Sequence, residues 1–504
     1  MEQRFYLGID NGGTLTKAVL FDAAGHEVAQ ASESVPLLTP APGFTERDME
    51  ALYAANCRCI RRVAEESGVP AARIAGISCT GHGKGLYLWG RDDRPVCPGI
   101  VSTDTRAWEY PRRWREDGTA DRAFRKTYQQ VLASQQVSLL AWMKDHRPEL
   151  LDNIRWIFSV KDYIRFRLTG EAYAELTDFS GANLVNLDAC GYDRELLALF
   201  GLEELFDRLP PLRRSCDRCG RVTAETARLT GLKEGTPVAG GMFDIDACAV
   251  AMDVTDEKNL CVIAGTWGIN EYVAREPVKN GSVLMNSIFC LPGYYLVEES
   301  SPTSAGNHEW FTRMFLQELR EEAAAAGLSV YQYADRLAAE APDGGERIVF
   351  LPYLFGSNFD PRARAALVGM DSSHTKGQII RAVLEGIVFC HMDHIDRLLA
   401  NRPGPDAIRL AGGAAKSPLW VRLFADVTGL PVEVIDTAEL GALGCAMAAA
   451  VMAGDYPDLR AAAGGMVRVR ERVEPDLGKT AAYREKRRAY RRVAQALEPV
   501  WGCL

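Results

Sequence analysis

The chain has no apolar run long enough to span a bilayer, no block of basic residues and no low-complexity segment. The first absence argues against a transmembrane helix. The second makes nucleic acid a poor partner: Lys and Arg number 58 against 67 Asp and Glu, for a formal net charge of −9. The N-terminus, MEQRFYLGID, lacks the charged-then-apolar pattern of a secretory signal. The 13 cysteines are scattered and odd in number, so reduced thiols in a cytosolic protein are expected. Cys216 and Cys219 have the spacing of half a zinc site, but no second pair matches, and no structural metal is expected. The spacings of a Rossmann fingerprint and of a Walker loop are also missing. What remains is ordinary globular content, 47% hydrophobic and 25% charged, over 504 residues, enough for two or three domains.

The stretch Tyr6 to Asp22, YLGIDNGGTLTKAVLFD, organises the rest. Two apolar β runs flank an Asn-Gly-Gly turn, which predicts a β-hairpin. Glycines at Gly12 and Gly13 leave the backbone N–H groups open, and with Thr14 they make a nest suited to an anion. Asp10, beside the nest, is placed to hold a cation against phosphate. Lys17, on the returning strand, is expected to face solvent. A second unit of the same kind follows past the middle of the chain. Asn259 to Ala264 is a β run, Gly265, Thr266, Trp267 and Gly268 turn it, and Ile269 to Val273 return. Two such hairpins gripping a polyphosphate are the logic of an actin-like ATPase. The fold class expected is therefore α/β, with two duplicated actin-like (ribonuclease H-like) domains and a ligand cleft between them. The boundary is placed to give domains 1–247 and 248–504.

Between and after the hairpins the pattern alternates. Met49 to Glu66 has apolar residues at helical spacing. Ile74 to Cys79 is a strand leading into Thr80-Gly81-His82-Gly83-Lys84-Gly85, a small-residue loop suited to a ligand. Asp104 and Arg106 lie two apart beyond another strand. Trp156 to Arg167 reads as helix without a site role. Thr236 to Met242 reads as a strand that ends at Asp244, with helix from Ala247. In the second half, Gly377 to Leu399 reads as a long helix in which His391 belongs to the core. Ile408 to Ala411 is a strand running into Gly412, Gly413 and Ala414, before a helix capped by Ser417 with Pro418 in its first turn. Strand, glycine loop and helix N-terminus suit a nucleotide.

In this order the pieces resemble the FGGY carbohydrate kinases over nearly the whole chain. The second FGGY signature is read from Ala365 through Gly369-Met370 to Gln378-Ile379 and Ala382-Val383-Leu384-Glu385. The first fits less well, with Leu139 where a lysine is usual. Gly81-His82-Gly83 and Thr103-Asp104-Thr105-Arg106 are similar to loops of xylulose kinases. Gly83-Lys84-Gly85, Met242-Phe243-Asp244 and Ser301-Pro302-Thr303-Ser304 lean toward the L-xylulose and 3-dehydro-L-gulonate branch. Gly356-Ser357-Asn358 and Ile245 depart from many members and bear on which sugar is taken.

The resemblance implies ATP and Mg²⁺, with Asp244 as the catalytic base and Asp10 on the metal side. It implies phosphate amides at Gly12, Gly13, Thr14, Gly265 and Thr266, and an adenosine loop at Gly412, Gly413 and Ala414. His82, Lys84, Asp104, Arg106 and Phe243 would line the sugar pocket. The expected substrate is a ketopentose, L-xylulose or D-xylulose, with L-ribulose, 3-dehydro-L-gulonate and glycerol as alternatives. No nucleic acid or membrane is expected as partner, and a homodimer stays open. An actin-like ATPase without a sugar pocket, or a sugar sensor, is the competing class.

Overall fold

A computed structural model describes residues 3–342, 347–358, 360 and 362–503. The chain divides into two compact units, and each draws on separated stretches. Unit 1 comprises Met1–Thr255, Val273–Val297 and Thr437–Val467; unit 2 comprises Asp256–Tyr272, Glu298–Asp436 and Arg468–Leu504.

The sheet of unit 1 is built from β1 (Phe5–Asn11), β2 (Leu15–Asp22), β3 (Glu27–Ser34), β4 (Ile74–Gly81), β5 (Arg218–Arg221) and β6 (Pro237–Ala239). Their spatial order is β5-β6-β4-β1-β2-β3. β1 pairs antiparallel with β2 and parallel with β4, and β4 pairs parallel with β6. One face of β1, with Leu7 and Ile9, packs in a cluster with Leu52, Ile60 and Val63 of the helix Met49–Glu66. Asp48 caps that helix by accepting from the Ala51 N–H, which stops it where its first orphan amides need a partner.

The opposite face of β1 is covered by the helix Leu440–Met452, whose run of Ala and Gly lets it come very close. A Cβ at Gly8 would lie 2.0 Å from the Ala442 carbonyl oxygen, and one at Gly444 would lie 2.3 Å from that of Ala247. No side chain larger than hydrogen fits at either contact, which explains the small residues better than helix propensity does.

A second sheet repeats the arrangement with β7 (Asn259–Ala264), β8 (Gly268–Ala274), β9 (Tyr295–Ser301), β10 (Ala407–Gly412), β11 (Val432–Ile435) and β12 (Val469–Val473). Their order is β9-β8-β7-β10-β11-β12. β7 is antiparallel to its hairpin mate and parallel to β10, and β10 is parallel to β11. The first strand of each unit thus has the same neighbours in the same sense, and this is the duplication suggested by the two glycine turns.

Two expectations are corrected. Trp156 to Arg167 is not one helix: Ile154–Phe158 is a strand paired with Tyr87–Gly90, and the helix is Val160–Thr169. The β-branched and aromatic run before Ser159 favours a pleated surface. The helix expected from Ala247 begins at Asp244 and runs to Ala251. No described helix is long and apolar enough to cross a membrane.

Candidate active site

In unit 1 the parallel pairing of β1 with β4 sets Asp10 opposite Thr80 and Asn11 opposite Gly81. The His82 N–H donates to the Asn11 carbonyl at 3.0 Å, which fixes the start of the 82–85 loop beside the Gly12-Gly13 turn. The chain then returns from β6 through Gly241, whose φ of +84° only glycine adopts readily and whose Cβ would sit 2.1 Å from the Cys79 carbonyl oxygen. Thr80 Oγ1 donates to the Met242 carbonyl at 2.8 Å. Phe243 and Asp244 therefore arrive at the ends of β1 and β4. The Phe243 ring fills the space above Gly83, where a Cβ would meet Cε2 at 2.0 Å. Lys84, at φ +63°, has its ammonium 6.0 Å from the centre of that ring.

Asp244 is the first residue of its helix, not the end of a strand, and its carboxylate accepts from the Ile245 N–H at 2.9 Å. Burial pushes its carboxyl well above the usual carboxylate range, with Asp10 and Asp178 adding to the shift and Lys84 opposing it. Asp10 accepts no hydrogen bond from any described residue. Burial raises it to about 6, Lys17 works against the shift and Glu439 adds to it. A desolvated carboxylate without donors suits a bound cation, which would invert that shift. His82 Nε2 lies 3.1 Å from the Tyr87 hydroxyl, and burial, with Arg47 adding, lowers its pKa to about 4, so it is neutral at pH 7. Lys17 does not face solvent: its ammonium is 2.8 Å from Glu439, and the pair is mostly covered.

Asp104 and Arg106 are neighbours of this loop, because Gly85 abuts Ile100 and Ser102. Their charges are turned on each other. Arg106 Nη2 is 2.8 Å from Asp104 and 2.8 Å from Glu46, and its guanidinium lies 4.0 Å from the Phe44 ring centre. Asp104 also accepts from the Thr45 N–H at 2.7 Å.

Three groups near these residues had no signal in the sequence. The Arg47 guanidinium donates to the carbonyl oxygens of Gly12 and Gly13. Asn56 and Thr16 both hold the Asn11 amide oxygen, at 2.8 and 3.0 Å. Behind Phe243, a fully buried cluster joins Lys161 to Asp162, Glu175 and Asp178 at 3.1, 3.4 and 3.6 Å. Thr177 transmits it forward, donating to Glu175 and accepting from the Phe243 N–H at 2.9 Å.

In unit 2, the register of β7 with β10 puts Ala264 opposite Gly412. Gly412 has φ +83°, and a Cβ there would lie 2.5 Å from the Ala264 carbonyl oxygen and 2.8 Å from the Gly265 nitrogen. Gly265 and Thr266 are thus gathered with Gly412, Gly413 and Ala414 at one sheet end, and only a bare backbone fits there. Ser417 caps the following helix, accepting from the Trp420 N–H at 3.1 Å, with Pro418 in its first turn. Ala305, missed in the sequence, donates its N–H to the Gly265 carbonyl at 2.8 Å. His391 is a core residue that braces this loop, with Nε2 2.7 Å from Ser304 Oγ and Nδ1 2.9 Å from Asn270 Oδ1. The bare cradles and the donor-free Asp10 fit a nucleotide phosphate and a divalent cation.

The FGGY carbohydrate kinase N-terminal domain matches residues 5–251 and the C-terminal domain residues 260–453. An L-xylulose/3-keto-L-gulonate kinase of Escherichia coli is 35% identical, covering 98% of this chain and 97% of that protein. A probable L-xylulose kinase of Pasteurella multocida is 34% identical over 98% of this chain and 99% of its own length. The ligand-bound xylulose kinase of Lactobacillus acidophilus superposes with a TM-score of 0.89 at 25% identity, covering 99% of each chain. The two-domain α/β architecture is that of the actin-like ATPases. By sequence and structure alike, the chain belongs to the FGGY family of carbohydrate kinases.

Proposed function

We propose that this carbohydrate kinase transfers the γ-phosphoryl group of ATP to the terminal primary hydroxyl of a ketopentose, L-xylulose before D-xylulose. The observation that carries this reading is the Asp244 carboxylate. It is raised by burial, held only by the Ile245 N–H, and placed with Lys84 and Phe243 beside the His82 loop. A sugar hydroxyl keeps its proton at neutral pH, and a carboxylate of raised basicity is suited to take it. The hydroxyl proton passes to Asp244 as the sugar oxygen bonds to phosphorus, the bond to the β,γ-bridging oxygen breaks, and ADP leaves. Neutral His82 serves as a hydrogen-bond partner and not as a charge.

In unit 1 the amides of the Gly12 to Thr14 turn hold phosphate oxygens; in unit 2 those at Gly265 and Thr266 do, and the Gly412 to Ala414 loop takes the adenosine. Asp10 would hold Mg²⁺, through water in the usual manner of that ion, and the metal supplies neutralisation of charge on the phosphates. Asp104 and Arg106 shape the sugar pocket as a locked pair, offering the faces of their ion pair and not free charges. The E. coli and Pasteurella relatives named for L-xylulose support the hand of the sugar.

Lys84 supports a second acceptor, a keto-sugar acid such as 3-keto-L-gulonate, because a half-buried cation can pair with a carboxylate. The test is ADP release with L-xylulose, D-xylulose, L-ribulose, glycerol and 3-keto-L-gulonate, in wild type and in Lys84→Ala. The expected order puts L-xylulose first, with the variant losing more on the acid than on the neutral sugars. Highest kcat/KM on glycerol or L-ribulose overturns the substrate, and ATP hydrolysis indifferent to every sugar returns the ATPase reading.

A further inference from the structure

Arg47 is only 1% exposed, yet no carboxylate of a described residue accepts from it. Its Nη1 donates to the Gly12 carbonyl oxygen at 3.2 Å, its Nη2 donates to that of Gly13, and its Nε is buried without a partner. A buried guanidinium spent on two turn carbonyls is a costly arrangement unless the turn must be held in one orientation.

A trans peptide is planar, with its C=O and the following N–H pointing in opposite directions. With the Gly12 and Gly13 carbonyls turned to Arg47, the N–H groups of Gly13 and Thr14 must point the other way. We infer that Arg47 is a positioning residue that aims the Gly13 and Thr14 amides at a phosphate of the bound nucleotide. Two consecutive glycines otherwise let the intervening peptide rotate at little cost, and the clamp removes that freedom. Asn56 and Thr16 hold the Asn11 side chain, the His82 N–H holds the Asn11 carbonyl, and Ser34 Oγ donates to the Thr14 carbonyl; these bonds flank the Gly12 and Gly13 carbonyls and do not reach them. Neighbouring Glu46 points elsewhere, to Arg106, and among the described residues Arg47 is the side chain that donates to the two glycine carbonyls.

The inference rests on the phosphate role proposed for this hairpin, and its test does not require turnover. The dissociation constants of ATP and AMP, each with Mg²⁺, are measured by calorimetry for wild type, Arg47→Lys and Arg47→Gln, with thermal unfolding recorded for each. AMP lacks the outer phosphates, so its affinity is expected to be unchanged. The preference for ATP over AMP is expected to fall about threefold to tenfold in Arg47→Lys, which keeps the charge but loses the planar fork, and more than tenfold in Arg47→Gln. Should Arg47→Gln not fold, Arg47→Lys decides. A wild-type preference retained in a folded variant overturns the inference, as does equal weakening of ATP and AMP, or a wild type that does not prefer ATP. Absence of sugar-dependent ADP release in the wild type would count against the kinase reaction while leaving this ratio measurable.

Discussion

Gly441 lies against Asp10 so closely that a Cβ on it would stand 2.7 Å from the Asp10 Oδ2. The helix Leu440–Met452 thereby leaves no room for a side chain on Gly441 beside the carboxylate. Gly441→Ala is expected to displace that carboxylate, raising the Mg²⁺ concentration needed for half-maximal activity about tenfold while the fold persists. An unchanged metal dependence would show that Asp10 does not act through the metal.

Asp10 also costs the ligand-free protein stability. Burial pushes its carboxyl up to about 6 in the fold, against an ordinary aspartate value of 3.8. A raised carboxyl favours the protonated form, so the penalty is absent below pH 3.8, grows between the two values and is full above about 6. Asp10→Asn is therefore expected to stabilise the apo protein by about 1–2 kcal/mol at pH 8, after allowing for partial solvent screening, with the gain vanishing toward pH 4. Thermal melts at the two pH values check this, and a variant less stable than wild type at pH 8 would contradict it.

Asp244→Ala should lower kcat about a hundredfold to ten-thousandfold, the range for a lost general base, with ATP affinity near normal. The base works only when deprotonated. Activity should thus rise with pH through a limb above the ordinary carboxylate range, and Lys84→Met, by removing a charge that opposes the shift, should move that limb to higher pH. A limb at pH 4 in wild type, or one that ignores Lys84, would assign the proton to another group.

Ser304→Ala leaves Nε2 of His391 without its partner in a fully buried setting. The expected loss is about 1–3 kcal/mol of stability, read as a lower denaturant midpoint. It should be accompanied by weaker ATP binding, because Ala305 next to it holds the Gly265 carbonyl. A stable variant with intact ATP affinity would make the brace dispensable.

What could be read before the structure was what is local. The Gly12-Gly13 and Gly265 turns, the helix Met49–Glu66 and the Ser417-Pro418 cap depend on residues within a few positions of one another, and each formed as read. Asp244, expected at a strand end, stands instead at the start of a helix, because Gly240-Gly241 ends the strand earlier than the apolar pattern does. Arg47 was invisible for a physical reason. Its partners are backbone carbonyls 34 and 35 residues away, and a carbonyl leaves no trace in a sequence. Lys17 looked solvated because Glu439 lies 422 positions on.

The segmented make-up of unit 1 governs how the protein is born. The helix that covers β1 and carries Gly441 belongs to the segment Thr437–Val467, translated about 200 residues after Thr255. At roughly 5–20 residues per second that is a delay of about 10–40 s. For that interval the glycine-marked face of β1 stands uncovered on the ribosome, next to strands already able to pair. Release of a chain stopped after Thr255 would yield a sheet with one bare face, because the helix that covers it lies in the later segment Thr437–Val467.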